Sequence, residues 1–276
     1  MNRTEISLPA TETEFSILPL FKIRCSSISK IMGGNVGLSE SQAREKKKLE
    51  ERTKALTPIM VETLVTLNHI EANPELPKGA KTYCEEWLKT QIYGEPTRHD
   101  FKYTSKGLEM EEDALAFVAE NFGYGMLLKN DIREDGEYIT GEADNVQADH
   151  TIDTKCSWLP ASFPLFEDKL DSAYYWQGLG YMHLYKRANH KVFYCLMNTP
   201  IHLIENEAKS LTYKNGYSEE ESEQVYADLF ERMTFDGLAP EYRIKEFIVK
   251  FDQEKINQVI ERVKMCRDYI KQLICK

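Results

Sequence analysis

A chain of 276 residues with 42% hydrophobic residues and 15 Tyr, 12 Phe and 3 Trp can bury a sizeable core, which excludes a disordered chain. Its formal net charge of −10, from 45 Asp and Glu against 35 Lys and Arg, is the opposite of what a basic DNA-coating protein carries. No apolar run approaches the roughly 18–20 residues of a membrane span, Met1 to Glu14 lacks a signal-peptide core, and the six cysteines have no CxxC spacing; a cytoplasmic protein with free thiols and no membrane partner is expected.

Along the chain, Ser39 followed by Gln42 is a capping-box signature for a helix running toward Lys54, interrupted or restarted at Pro58. The run Arg44, Lys46, Lys47, Lys48, Arg52 and Lys54 on that helix is either a local basic track or a solvated face laced with Glu45, Glu50 and Glu51. A second helix is predicted over 80–92. Helical spacing of Ala114, Leu115, Phe117 and Val118 predicts another over 111–121. Strand-like runs follow at 125–133, 137–146 and 151–157, separated by Glu134-Asp-Gly136 and Gln147-Ala-Asp149, and are expected to form an antiparallel meander. A helix over 171–186 and a strand over 191–197 complete the order α-β-β-β-α-β. Beyond it, 218–233 reads as a helix and 242–251 as a strand. Asp252 caps a last helix whose Ile256, Val259, Ile260, Val263, Ile270 and Leu273 form one apolar stripe. With no repeat and no low-complexity linker, residues 1–276 read as a single domain: an N-terminal helical elaboration over 15–96, a core over 97–198 and a C-terminal elaboration over 199–276.

Four stretches carry chemistry: Gly107-Leu-Glu-Met-Glu111, Gly141-Glu-Ala-Asp144, Asp153-Thr-Lys155 and Gln177-Gly-Leu-Gly-Tyr181. Asp153 and Lys155, two apart on a strand, leave the same face of a sheet. Asp144 converges on Asp153 if their strands pair as a hairpin, and Glu111 on the preceding helix supplies a third carboxylate. Three clustered carboxylates repel one another, and a divalent cation resolves the conflict; hard oxygen donors suit Mg²⁺ or Mn²⁺, one or two ions, better than zinc. Such a site polarises a phosphate and lowers the pKa of a bound water, and Lys155 would orient that water or neutralise charge developing on the phosphate. Gln177 and Tyr181, at i and i+4, share one helix face; they either contact DNA and position Lys155, or form an ordinary helix face.

In order and spacing these stretches resemble the PD-(D/E)xK nuclease superfamily, in the branch of RecB-type nucleases, lambda-type phage exonucleases and YqaJ-like viral recombinases. The first motif, Gly-x-x-x-Glu-x-x-Ala, is matched by Gly107, Glu111 and Ala114; the second acid by Asp144; acid-x-Lys by Asp153 and Lys155; Gln-x-x-x-Tyr by Gln177 and Tyr181. The match covers about 106–197, with a looser one at Arg24-Cys-Ser-Ser27. The third acid departs from the more frequent Glu.

The resemblance implies an α/β (α+β), restriction-endonuclease-like core with a mixed central sheet. It implies a Mg²⁺-dependent exonuclease, catalysed by Glu111, Asp144, Asp153 and Lys155. The metal would be held by Asp144, Asp153, Glu111 and the backbone carbonyl of Thr154. It also implies 5′-to-3′ digestion of linear double-stranded DNA from its ends, in phage or prophage recombination, with a single-strand-annealing partner, a ring-shaped homo-oligomer and the host cytoplasm as setting. Arg24 with Ser26 or Ser27 would hold a terminal 5′-phosphate, unless that serine caps a helix. His99 stands where some relatives place a metal-binding histidine. Iron-sulfur branches carry a cysteine trio near the C-terminus, and only Cys266 and Cys275 stand there, so no iron-sulfur cluster is expected.

Two other readings share these residues: a structure-specific endonuclease of the same fold, and a catalytically inactive DNA-binding recombination protein. The intact acids and lysine speak against the latter. Trp158, Pro160, Phe163 and Phe166, after the lysine strand, either stack on an unpaired base or belong to the core.

Overall fold

Local signals set the first helices. In the computed structural model, which describes residues 18–94 and 102–275, α1 (Ile28–Met32) follows a short strand β1 (Ile23–Arg24) and a 3-10 turn at Cys25–Ser27. The helix α2 (Glu40–Glu50) opens on the expected capping box, with Gln42 N donating to Ser39 Oγ at 3.3 Å and Ser39 N donating to Gln42 Oε1 at 2.9 Å. Thr57 caps α3 (Pro58–Ala72), where Pro58 starts the helix because its missing N–H needs no partner there. The helix α4 (Lys78–Tyr93) ends on the left-handed Gly94. Met1 to Glu14 and His99 lie outside the described residues.

The next elements carry the acids. A helix not foreseen from sequence, α5 (Lys102–Glu109), runs into α6 (Glu111–Phe122), whose first residue is the motif acid Glu111. The strands β2 (Glu134–Asp135) and β3 (Ile139–Gly141) pair antiparallel in a small sheet of order β1-β3-β2. The strands β4 (Asn145–Val146) and β5 (His150–Cys156) follow, then α7 (Ser172–Tyr185), capped by Asp171, and β6 (Asn189–Cys195). A further unforeseen helix, α8 (Ile201–Asn215), precedes α9 (Glu219–Arg232), β7 (Ile244–Lys250) and α10 (Gln253–Ile274). The main sheet has the order β4-β5-β6-β7, with β5 and β6 parallel and the outer pairs antiparallel. The architecture is a mixed α+β fold, as expected.

The antiparallel meander needs correction. Residues 125–133 form no strand, and 137–146 is broken between the two sheets. Side chains replace the ladder there: Asn130 Nδ2 donates to Ala143 O at 3.0 Å, and Asn145 Nδ2 donates to Leu128 O at 2.6 Å. Polar side chains that compete with the backbone for partners are what period-2 patterning overlooks.

The described residues gather into two compact units, 18–23 with 29–94 and 258–275, and 24–28 with 102–257. In the first, Arg262 Nη1 donates to Ile31 O at 2.7 Å and Tyr269 OH donates to Glu85 at 2.6 Å, joining the end of α10 to α1 and α4. Its basic run on α2 is laced with acids: Arg44 pairs with Glu40, Lys46 with Glu50 and Glu71, and Lys47 with Glu51. In the second, Ala114, Leu115, Val118, Ile152, Phe193 and Cys195 form a core between α6 and the sheet. Large side chains among them each contribute about 1.5–3 kcal/mol. Trp158 and Phe163 are core residues as well, whereas Phe166 is 88% exposed. No described helix is long and apolar enough to cross a membrane.

Among the described residues, Lys106 is the one charged side chain in the group of largest fully buried ones. From α5 its Nζ donates to Ser157 O at 2.8 Å and lies over the Phe235 ring at 5.4 Å, tying the helix to the end of β5. Burial lowers its pKa from an ordinary 10.5 to about 8. Between those two values the unfolded chain binds more protons than the folded one, so stability gains as pH rises through that window. The expected gain is about 1–3 kcal/mol, absent in Lys106→Met, in denaturant titrations taken across the window.

Candidate active site

Register places the two central acids. Asn145 faces Ile152 and Val146 faces Thr151, so one step beyond the end of the ladder Asp144 stands opposite Asp153. Directly opposed residues of an antiparallel pair point to the same face. Where the ladder stops, the Asp144 carboxylate takes its place: Oδ2 accepts from Thr154 N at 2.6 Å and from Thr154 Oγ1 at 3.0 Å. The break between the two sheets therefore holds Asp144 beside β5.

Asp153 is 1% exposed. Its Oδ1 accepts from Gln177 Nε2 at 3.2 Å, and its Oδ2 pairs with the Lys155 ammonium. Gln177 Nε2 also donates to Tyr181 OH at 2.9 Å, so the i, i+4 pair on α7 forms a relay ending on the acid. Lys155 Nζ lies 4.9 Å from the Tyr174 ring centroid, a face that favours a cation. Glu111, half-buried, pairs with Lys129 at 3.1 Å.

The electrostatics are those of crowded acids. Burial, and next the charge on Asp153, push Asp144 up to about 6. Burial, then Asp144, raises Glu111 against the pull of Lys129; burial raises Asp153 against the pull of Lys155. Burial opposes the Lys155 ammonium, but the carboxylates of Asp153 and Asp144 outweigh it and raise its pKa.

A cleft of about 220 Å³ opens on this face, and Arg24, Ser26, Lys129 and Arg133 line it together with Glu111 and Asp144. Of the residues expected to hold a terminal phosphate, Arg24 and Ser26 line this cleft and Ser27 is buried. Lys129 and Arg133 escaped the sequence reading because residues 125–133 resemble an ordinary strand. A pair of cations between the first two acidic motifs was the available signal.

Among the described residues no three His, Cys, Asp or Glu side chains stand ready as a metal cage. The donor set nevertheless fits a hard divalent cation. It is all oxygen, and it brings the mutually repelling carboxylates of Asp144, Asp153 and Glu111 together. Such an acid is oriented by its outer partner, so Gln177→Leu is expected to lower kcat about 10–100-fold in single-turnover cleavage assays, with duplex binding retained.

No protein-family model matches the chain, and no curated protein matches it. Solved structures do. A phage-related exonuclease from Haemophilus somnus 129PT is 28% identical over 93% of this chain and 96% of its own, with a TM-score of 0.67. An alkaline exonuclease from Laribacter hongkongensis shares the fold at 12% identity, over 96% of this chain and 94% of its own, with a TM-score of 0.52. Its complex with dAMP aligns at a TM-score of 0.50 over 92% and 90%. Taken with the motif acids in their expected order and on their expected elements, the likeness to the phage-related exonuclease supports the resemblance to the PD-(D/E)xK nucleases of the lambda-type exonuclease branch, and the alkaline exonuclease shares the fold.

Proposed function

We propose that the chain is a Mg²⁺- or Mn²⁺-dependent exonuclease that hydrolyses phosphodiester bonds of linear double-stranded DNA from its ends, 5′-to-3′. The observation that carries this reading is the convergence of Asp144, Asp153 and Lys155 at the end of the β4–β5 ladder, with Glu111 and Asp144 lining one cleft. Asp144, Asp153, Glu111 and the carbonyl of Thr154 would hold one or two ions, which when bound supply Lewis-acid charge to the scissile phosphate. Lys155, kept as an ammonium by Asp153 and Asp144, donates to a phosphate oxygen and offsets the charge that develops on it. Gln177 fixes the rotamer of Asp153, and Tyr181 fixes Gln177. Arg24 and Ser26 on the cleft rim take the terminal phosphate.

The polarity, the annealing partner, the ring-shaped homo-oligomer, the cytoplasmic setting and the role in phage recombination follow from the resemblance. We read residues 1–276 as a single domain, for which calorimetry should give one unfolding transition. The testing experiment incubates the protein with Mg²⁺, end-labelled linear duplex and a closed circle, with EDTA as control. Loss of the linear DNA alone, from its 5′ ends, supports the reading. Cutting of the circle would replace it with an endonuclease, and absence of cleavage with any divalent ion would leave a DNA-binding protein.

A further inference from the structure

Lys129 belongs to none of the four motifs, yet the chain is built to hold it. Its ammonium lies 3.1 Å from the Glu111 carboxylate, and its side chain stays 31% exposed. Both of its peptide neighbours are fastened to the turn that carries the second acid: Asn145 Nδ2 donates to Leu128 O at 2.6 Å, and Asn130 N donates to Asp144 O at 2.7 Å. Asn130 Nδ2 adds a third tie, to Ala143 O at 3.0 Å. A backbone clamped on both sides fixes where the side chain starts, so the ion pair with Glu111 is not the chance meeting of two mobile surface groups.

The pairing sets up a competition. Glu111 is one of the acids whose repulsion by Asp144 a divalent cation would relieve, and Lys129 supplies that positive charge in the metal-free protein. A cation bound there would compete with the ammonium for the Glu111 carboxylate. The freed lysine still stands in the cleft with Arg24 and Arg133, where a DNA strand would bring fixed negative charge.

We propose that Lys129 is an exchangeable counter-ion: it holds Glu111 in the metal-free protein, yields it to a divalent cation, and then pairs with a phosphate of the bound DNA strand. The inference rests on the nuclease reading above and deepens it, because it makes metal loading and DNA binding favour each other.

The test compares wild type, Lys129→Met and Lys129→Arg, each checked for folding by thermal unfolding. Mn²⁺ affinity is measured by electron paramagnetic resonance on DNA-free protein. Affinity for a phosphorothioate-ended duplex is measured by anisotropy at several salt concentrations. Lys129→Met is expected to bind Mn²⁺ about three- to tenfold more tightly, since the competing cation is gone. It should bind duplex more weakly, with a salt slope smaller by about one. Lys129→Arg should restore the slope. Normal wild-type binding with an unchanged Mn²⁺ affinity or an unchanged slope in Lys129→Met overturns the exchange alone. A wild type that binds neither Mn²⁺ nor duplex overturns it together with the nuclease reading.

Discussion

Lys155→Ala should slow single-turnover cleavage of linear duplex about 10²–10³-fold while leaving duplex binding within a factor of a few. The split follows from position. Lys155 sits two residues from Asp153 on β5, paired to it and over the Tyr174 ring, and is not among the residues that line the cleft with Arg24 and Arg133. Removing a donor that acts on developing charge lowers kcat, whereas the rim cations still hold the strand. A stability effect accompanies it. Asp153 loses its ion-pair partner inside a nearly fully buried setting, and in EDTA that costs up to about 3–5 kcal/mol, less whatever the carboxyl recovers by taking a proton. Added Mg²⁺ should return more of the lost Tm in the variant than it adds to wild type, because bound cation stabilises only the folded chain. Cleavage within a few-fold of wild type would remove Lys155 from the mechanism.

Much of this was legible where a single local rule decides the outcome. Ser39 with Gln42, Thr57 before Pro58, Ser218 with Glu221, and Asp171 all cap helices, because each supplies an oxygen to an N–H that has no other partner. Asp252 does the same for α10, accepting from Lys255 N at 3.0 Å. The same-face placement of Asp153 and Lys155 needed only the period of a strand. The convergence of Asp144 needed only a hairpin register.

What escaped lies where tertiary contacts override local pattern. Among the described side chains of α5 the fully buried one is a lysine, so apolar periodicity could not announce the helix. In α8 only Ile204 and Ala208 are fully buried, too sparse a stripe to stand out. Residues 125–133, with the apolar run Met126-Leu-Leu128, read like a strand but are held by Asn130 and Asn145 side chains. Those same bonds bring Lys129 to Glu111, so the misread segment and the unforeseen cation have one cause. Of the two candidate serines, a 3-10 turn buries Ser27 and leaves Ser26 on the cleft.

The glycines inside the fourth motif, which sequence alone could not explain, lead to the second large effect. A Cβ on Gly178 would enter the His190 ring at Cδ2, and one on Gly180 would lie 2.7 Å from Ile28 Cδ1 and 2.8 Å from Cys25 Sγ. His190 cannot swing aside: it is fully buried, and its Nδ1 is hydrogen-bonded to Thr151 Oγ1 at 2.8 Å. Gly178→Ala gains about 1 kcal/mol of helix propensity but loses about 1–3 kcal/mol to overpacking, and Gly178→Val loses more. The helix can relieve the overlap only by lifting from β6, which draws Gln177 off the 3.2 Å contact with Asp153. Both variants should therefore lose Tm and cleavage together. Gly107, the glycine of the first motif, has nothing within 4 Å of a built Cβ, so Gly107→Ala should keep or slightly raise Tm. Pairing Gly178→Ala with His190→Ala opens the space the methyl needs. The double variant should be less destabilised than the sum of the singles by about 0.5–3 kcal/mol. Strict additivity would mean that the imidazole is not what the glycine accommodates.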